Sequence, residues 1–200
     1  MRFSKMQGCG NDYVYVNCFT EEIKDEKDLA IKVSNRHFGI GSDGLVLIKP
    51  STKGDFTMHM YNADGSQSEM CGNAIRCVGK YVYDHKMAEK TKLSIETLAG
   101  MKYLDLTVKD DKVVEVTVDM GSPILEPENI PVNLPGNNII QYPIQVEGQE
   151  YKITCVSMGN PHAVVFVTDT TCIDIEKLGP KFEHHEVFPN RVNTEFVQII

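Results

Sequence analysis

The six cysteines are the residues most capable of chemistry. One of them, Cys71, occupies a distinctive position. It follows a turn-forming segment, Asn62-Ala63-Asp64-Gly65, and directly precedes Gly72, where a helical apolar pattern begins. The first N–H groups of a helix lack internal partners, and the helix dipole adds positive potential there. A thiol at this point ionises readily, and a carboxylate can dock on the free N–H groups. Because Gly72 has no side chain, a ligand could approach the backbone closely.

Such a thiolate is suited to removing the weakly acidic proton on a carbon next to a carboxylate. Helix N-terminal amides can stabilise the enolate-like charge that develops. Inversion of the stereocentre also needs a second acid on the opposite face, so one thiol explains half of this reaction. Cysteine is also a common buried hydrophobe, and composition alone leaves both interpretations of Cys71 open. The buried interpretation is preferred for Cys18, Cys77, Cys155 and Cys172, while Cys9, beside turn glycines, is undecided.

Composition and charge exclude several classes of protein. The net charge is −8 and the sequence pI is about 5.2, so nucleic acid is not an expected partner. The first ten residues hold no apolar run of signal-peptide length, and no window resembles a membrane span, so we expect a cytoplasmic protein with reduced thiols. No cysteine pair has C-x-x-C spacing, and we predict no metal site. No G-x-G-x-x-G phosphate cradle is present.

The elements that must position Cys71 are mostly strands. β-forming runs occupy residues 13–16, 44–48, 56–61, 93–98, 102–108, 113–118, 142–146, 151–158 and 163–167. The polar segment Lys109-Asp110-Asp111-Lys112 predicts a hairpin turn. Helices are predicted over 25–37, with Asp25 as cap, and over 72–85, where an apolar stripe recurs at helical spacing.

A proline-rich stretch after Gly121 indicates a boundary between a first domain, 1–120, and a second, 121–200. The two segments also show an approximate repeat. Gly159-Asn160 follows Gly10-Asn11 at an offset of 149 residues, and Asn193 follows Asp43 at an offset of 150. The pattern predicts two similar halves, the second cut short, although common strand patterns could align in this way by chance.

Several separated motifs resemble those of the diaminopimelate epimerases and occur in that family's order. They are Gly10-Asn11-Asp12, Asn62-Ala63-Asp64-Gly65 with Met70-Cys71-Gly72-Asn73-Ala74, Gly159-Asn160-Pro161-His162, and Val192-Asn193-Thr194-Glu195-Phe196. The resemblance covers the whole chain. Related proline racemases usually follow Cys-Gly with His, so Asn73 argues against them. The family resemblance implies an α+β fold of two pseudo-symmetric domains, each a mixed β-barrel around a central helix, with the second domain incomplete here.

The resemblance also assigns roles to individual residues. Cys71 matches one of two cysteines that exchange the α-proton, and His162 matches a residue that helps to set the ionisation of the thiol. The substrate-binding matches are Asn11, Asn62, Gly72, Asn73, Asn160 and Asn193. Some members have Gln where this chain has Gly44, which leaves a role for Gly44 in substrate binding undecided.

The activity that the resemblance implies is interconversion of LL- and meso-diaminopimelate in lysine and peptidoglycan precursor synthesis. It implies no pyridoxal phosphate, a small-molecule substrate, no membrane partner, and an oligomeric state in which a homodimer is one option. The family's second catalytic Cys would lie beyond Ile200, so we expect the 200-residue chain itself to be inactive. Two alternatives remain: a related cysteine-dependent racemase or isomerase, and a non-enzymatic metal or redox thiol protein.

Overall fold

Strands predominate in the computed structural model, which describes residues 1–200, and the chain forms two units, Met1–Met120 and Gly121–Ile200. The first unit contains β1 (Ser4–Gly8), β2 (Asn11–Asn17), α1 (Glu26–Ser34), β3 (Gly44–Lys49), β4 (Phe56–Asn62), β5 (Gln67–Ser68), α2 (Gly72–Asp84), β6 (Lys92–Thr97), β7 (Gly100–Lys109) and β8 (Lys112–Asp119). The second contains β9 (Tyr142–Val146), β10 (Gln149–Ser157), β11 (Pro161–Phe166), α3 (Ile175–Glu183) and β12 (Asn193–Val197). No helix has the length and apolar character needed to cross a membrane.

The sheet of the first unit curls around α2. Its strand order is β1-β2-β3-β4-β6-β7-β8, with β5 attached to β4. Helix α2 contacts β1 and β2 at one end of this order and β7 and β8 at the other. The predicted apolar stripe of α2 is confirmed, because Ala74, Ile75, Val78, Tyr81 and Val82 are all buried. The mixed α+β class with a curled sheet around a helix is therefore confirmed.

The central strands of this sheet are covered on both faces. Tyr13, Tyr15 and Val46 face the core shared with α2, whereas Val14 and Leu45 face the core shared with α1. A strand buried on both faces has no polar side, which explains why β2 and β3 are nearly continuous apolar runs in the sequence.

Two details differ from the sequence prediction, and one agrees. The first helix ends at Ser34, not at 37, because Asn35 caps it and its Oδ1 accepts the N–H groups of His37 and Phe38. Strand β1 was not predicted. The hairpin turn is confirmed, since Asp110 and Asp111 both adopt positive φ, at 50° and 60°.

The second unit repeats part of the first in its topology. Its sheet has the order β12-β11-β10-β9, and α3 joins the parallel strands β11 and β12 as α1 joins the parallel strands β2 and β3. The register pair His162–Asn193 follows the pair Tyr13–Gly44 by 149 residues in both strands. The predicted repeat is therefore present in the fold, but Asn193 corresponds to Gly44 and not to Asp43. Within residues 121–200, α1 has a counterpart in α3, whereas α2 has none.

Candidate active site

Cys71 lies at the N-terminus of α2, as predicted. It is the N-cap residue, with extended backbone angles φ −142° and ψ 116°, and its side chain makes no capping hydrogen bond. The first helical hydrogen bond runs from the Ile75 N–H to the Cys71 carbonyl, at 3.0 Å. The N–H groups that precede Ile75 in the helix have no partner within it, so the half-buried thiol stands at the positive end of the dipole.

The turn between β4 and β5 leads the chain to Cys71. Asp64 Oδ1 accepts the Ser66 N–H at 2.8 Å, and Gly65 adopts φ 81°, a conformation that suits glycine. The Asn62 N–H donates to the Ser66 carbonyl, and Asn62 Nδ2 donates to Ser66 Oγ at 3.0 Å. One N–H of the Asn62 amide therefore serves the turn, and its second N–H and Oδ1 remain as groups that a substrate could use.

Tyr13 is buried close to the thiol. Burial raises the pKa of Tyr13 well above its usual range, and the neighbouring Cys71 thiol raises that pKa further. The phenol therefore stays protonated and can donate. The neighbouring Gly44 is closely packed, because an added Cβ would lie 2.1 Å from the Tyr61 carbonyl oxygen and 3.0 Å from Tyr13 Cε1. With this backbone, position 44 can offer a ligand only its main-chain groups.

Asn11 and Asn73 are linked directly, although they are far apart in sequence. The turn between β1 and β2, with Cys9 at φ 50° and Gly10 at φ 92°, carries Asn11 to the start of β2. Asn73 Nδ2 donates to Asn11 Oδ1 at 2.6 Å, and Arg76 donates to Asn73 Oδ1. The hairpin of β1 and β2 is thus tied to the first turn of α2.

A cluster of charges lies on the other side of Asn11. Asn11 Nδ2 donates to Asp43 Oδ2 at 3.4 Å, and Arg36 Nη2 donates to Asp43 Oδ1 at 2.9 Å. Arg36 also contacts both carboxylate oxygens of Asp12, at 2.8 and 3.2 Å, and Lys5 lies 3.0 Å from Asp12. The hydrogen bond from Arg36, together with Lys5, holds the pKa of Asp12 well below its usual range.

Two glycines define the space around the first turn of α2. An added Cβ on Gly8 would lie 2.9 Å from the carbonyl oxygen of Asn73, so β1 approaches α2 as closely as glycine permits. An added Cβ on Gly72 would meet only the side chain of Met120, at 3.8 Å. The backbone at Gly72 is therefore accessible to a ligand, as the sequence predicts.

The second unit carries its own polar cluster. His162 and Asn193 are register partners on β11 and β12. His162 Nδ1 lies 2.7 Å from Glu195 Oε1, and Nε2 lies 3.0 Å from Asn160 Oδ1. Because a carboxylate only accepts, Nδ1 carries a proton and donates to Glu195. Asn193 Nδ2 donates to the carbonyl of Pro161 at 3.0 Å.

The structure groups the predicted site residues into two sets. The first unit joins Cys71, Gly72, Asn73 and Asn11, with Asn62 at the same end of the sheet because Tyr13, Gly44 and Asn62 are register neighbours. The second unit joins Asn160, His162 and Asn193. The sequence analysis names Asp43 in the repeat and Glu195 in a family motif but assigns neither a role in the site. A signal for Glu195 existed, since it follows Asn193 by two and therefore shares its face of β12.

The other cysteines differ sharply from Cys71. Burial raises the pKa of Cys77 and raises that of Cys155 to about 12, which agrees with their predicted packing role. Cys18 is half-buried, and its pKa is also raised by burial. The prediction was wrong for Cys172, which is exposed because it ends a short surface 3-10 turn, Thr170–Cys172. Cys9 is exposed, and Arg76 Nη2 lies 3.4 Å from its sulfur.

Comparison with known structures supports the fold. The chain is similar to a probable proline racemase from Agrobacterium radiobacter, with a TM-score of 0.64 and 13% identity, and to a hydroxyproline epimerase from Agrobacterium vitis, with a TM-score of 0.61 and 16% identity. Each match covers 88% of this chain and 52% of the other, so the chain spans about half the length of these two proteins. At such low identity, the likeness shows the fold alone.

Comparison of sequences is more specific. The diaminopimelate epimerase family model matches residues 3–126 and 154–200. Diaminopimelate epimerases from Acetivibrio thermocellus and Agathobacter rectalis are 60% and 58% identical to the chain; the matches cover all of it, and 71% and 73% of the relatives. The corresponding enzyme of Methanococcus maripaludis is 54% identical, with 72% of its length covered. With the thiol at the start of α2 and this match along its length, the chain belongs to the diaminopimelate epimerase family.

Proposed function

We propose that the protein expressed from the open reading frame of this chain interconverts LL- and meso-diaminopimelate by proton transfer at the α-carbon, with Cys71 as one of the two acid–base thiols. The observation that carries this proposal is the position of Cys71, an uncapped thiol at the N-terminus of α2 beside the open backbone of Gly72. The reaction belongs to lysine and peptidoglycan precursor synthesis, and the substrate is a small amino acid.

The chemistry follows from the arrangement around the first turn of α2. The substrate carboxylate next to the reacting carbon docks on the backbone N–H groups of Gly72 and Asn73, which have no partner within the helix. The Cys71 thiolate removes the α-proton, and the charge that moves onto the carboxylate is stabilised by the same N–H groups and the helix dipole. No cofactor is needed for this step, because the electron sink is the carboxylate itself.

The remaining polar side chains have proposed roles within their own units. Asn11 and Asn62 of the first unit bind the substrate by hydrogen bonds, and the family resemblance assigns the same role to Asn160 and Asn193 of the second unit. His162, fixed by Glu195 at 2.7 Å, helps to set the ionisation of the thiols. Each amide in this set retains a free N–H or oxygen in its present hydrogen-bonding pattern, which supports a role in binding. The second acid–base thiol returns a proton from the opposite face.

The test is exchange of the α-proton with solvent by the protein expressed from its own open reading frame. With LL-diaminopimelate in D₂O, we expect deuterium incorporation and formation of the meso isomer, both reduced by about 10²–10⁴ in Cys71→Ala. Proline and hydroxyproline serve as control substrates for the alternative of a related racemase. Exchange of either control at a comparable rate, or full activity of Cys71→Ala, would contradict the proposal.

The assembly and the compartment are also part of the proposal. A thiol that must cycle through its thiolate needs a reducing compartment such as the cytoplasm, and all six cysteines are free. The assembly we propose is a homodimer. Light scattering of the purified protein tests the assembly directly, and a monomeric mass would contradict it.

A further inference from the structure

The side-chain amides of Asn11 and Asn73 belong to a continuous series of hydrogen bonds that runs between two arginines, Arg76 and Arg36. Arg76 donates to Asn73 Oδ1, Asn73 Nδ2 donates to Asn11 Oδ1 at 2.6 Å, and Asn11 Nδ2 donates to Asp43 Oδ2 at 3.4 Å. Arg36 closes the chain with a bond to the other oxygen of Asp43, at 2.9 Å. In each of these bonds a donor meets an acceptor.

The two ends of this hydrogen-bond series require the same orientation of the Asn11 and Asn73 side-chain amides. A guanidinium can only donate, so Asn73 must turn its oxygen towards Arg76. A carboxylate can only accept, so Asn11 must turn its nitrogen towards Asp43. The two requirements meet consistently between the asparagines, where the nitrogen of Asn73 faces the oxygen of Asn11. Neither amide can flip without placing like groups against each other.

The hydrogen-bond series also determines which side-chain groups of Asn11 are free to bind a ligand. One of its two N–H groups is bound to Asp43, and its oxygen accepts from Asn73. The only donor that it has left is its second N–H, while its oxygen keeps one lone pair. The free N–H suits an acceptor on the substrate, such as a carboxylate oxygen.

Further hydrogen bonds fix Asp43 in the position from which it orients the Asn11 amide. Its Oδ2 also accepts the Asp12 N–H at 3.1 Å, and its backbone N–H donates to the Asp12 carbonyl at 2.7 Å. Its carbonyl accepts the N–H of Ala63, the residue after Asn62. These bonds tie β2, β3 and the turn after β4 together at the point where Asn11 is oriented.

We propose that Asp43, held by Arg36, is a positioning residue that orients the Asn11 amide so that its free N–H meets an acceptor on the substrate. This inference rests on the proposed function, in which Asn11 binds the substrate. Asp43 itself does not touch the substrate. Its removal therefore weakens binding and leaves the chemistry at Cys71 largely intact.

A double-mutant cycle tests this inference on the protein expressed from its own open reading frame. We expect Asp43→Asn to raise KM for diaminopimelate about tenfold, the scale of one hydrogen bond to a charged group, with little change in kcat. In an Asn11→Ala background, the same substitution should change KM by less than about twofold, because the residue through which it acts is gone. Arg36→Gln should show the same dependence on Asn11 with a smaller effect, and it provides a second route if Asp43→Asn folds poorly.

Asp12→Asn is the matched control. Asp12 shares Arg36 with Asp43, but its side chain makes no bond to the Asn11 amide, so its loss should lower thermal stability and leave KM unchanged. If Asp43→Asn has the same effect in both backgrounds, or none in either, the inference is overturned while the proposed function stands. If Asn11→Ala itself leaves KM unchanged, the inference falls together with the assignment of Asn11 to the substrate site.

Discussion

The six free thiols lie in environments different enough for an alkylating agent to separate them. Cys71 is half-buried at a helix N-terminus, whereas Cys77 and Cys155 are buried, with raised pKa values. We expect Cys71 to react fastest of these three in the folded protein, because it is partly accessible, whereas burial both covers Cys77 and Cys155 and disfavours their nucleophilic thiolate forms. Peptide mass spectrometry after brief treatment with iodoacetamide measures the order.

The same experiment includes its own control. In denaturant, all three thiols should react at similar rates, because burial and the helix dipole are lost. Faster reaction of Cys77 or Cys155 than of Cys71 in the folded protein would remove the basis for assigning Cys71 as the acid–base thiol.

Asp12 should make the stability of the first unit depend on acid pH. Because Arg36 and Lys5 hold its pKa below the ordinary 3.8, its ion pairs stabilise the fold above that pH. This contribution is lost as the pH falls through the lowered pKa. We expect Asp12→Asn to reduce the free energy of unfolding by about 1 kcal/mol at neutral pH and by progressively less below about pH 4.

Urea unfolding of both proteins across this pH range is the measurement. Asp105→Asn is a useful comparison, because the pair of Asp105 with Lys92 is largely exposed and should contribute almost nothing. A difference between wild type and Asp12→Asn that stays constant down to the most acid pH would refute the linkage.

At the scale of elements, two glycines near the start of α2 should respond oppositely to the same methyl group. Gly72→Ala places a Cβ in open space, 3.8 Å from Met120, and alanine suits the first turn of a helix. We expect stability within about 0.5 kcal/mol of wild type. Activity should fall sharply, because the methyl group obstructs the backbone on which the substrate carboxylate is proposed to dock. Thermal melts and steady-state kinetics measure the two effects.

Gly8→Ala, in contrast, should mainly lower the stability of the fold. Its Cβ would lie 2.9 Å from the Asn73 carbonyl, so β1 must move away from α2, at a cost of roughly 1–3 kcal/mol. The melting temperature measures this loss. If Gly8→Ala is as stable as wild type, the close contact between β1 and α2 is not a constraint on the fold.

The sequence predicts some elements well because their burial is recorded in local patterns. The doubly buried strands β2 and β3 appear as apolar runs, and α2 appears as a stripe of small and apolar residues. Strand β1, Ser4–Gly8, has half-buried and exposed positions in alternation and few apolar residues, so nothing local marks it. The first helix was predicted too long because the Asn35 cap acts through its side chain.

The candidate site divides in the same way. Cys71 and Gly72 can be predicted, since a helix start is a local feature. Asp43 cannot, because its contact with Asn11 exists only through the parallel pairing of β2 with β3, which joins segments some thirty residues apart. Propensity and periodicity carry no information on such pairings, and the family resemblance names the substrate contacts and not the residues that orient them.

At the scale of the whole molecule, the fold bears on the rate at which these 200 residues can invert diaminopimelate. The second unit has a counterpart of α1 but, within residues 121–200, none of α2, the helix that presents Cys71. Its own cysteines are either buried, as Cys155 is, or on a surface turn, as Cys172 is. We therefore expect a polypeptide of these 200 residues to invert diaminopimelate about 10²–10⁴ times more slowly than the Acetivibrio thermocellus relative.

Both proteins can be compared by following formation of the meso isomer under identical conditions. Protection of the buried Cys77 from an alkylating agent that modifies Cys71 establishes that the first unit of the 200-residue polypeptide is folded. Inversion at the rate of the relative would contradict the expectation and would indicate a second acid–base group among the residues described.

Because the sheet curls around α2, the labelling rate of Cys77 reports on the opening of the first unit. This thiol faces the interior of the first unit, and both ends of the sheet contact the helix that carries it. A reagent can therefore reach Cys77 only in those rare moments when the helix is released, and such release breaks the contacts of the whole unit. When reclosing is faster than labelling, the ratio of its native to denatured labelling rates reports the fraction of molecules open at equilibrium. One buried sulfur thus gives the free energy, under native conditions, of the opening that exposes it.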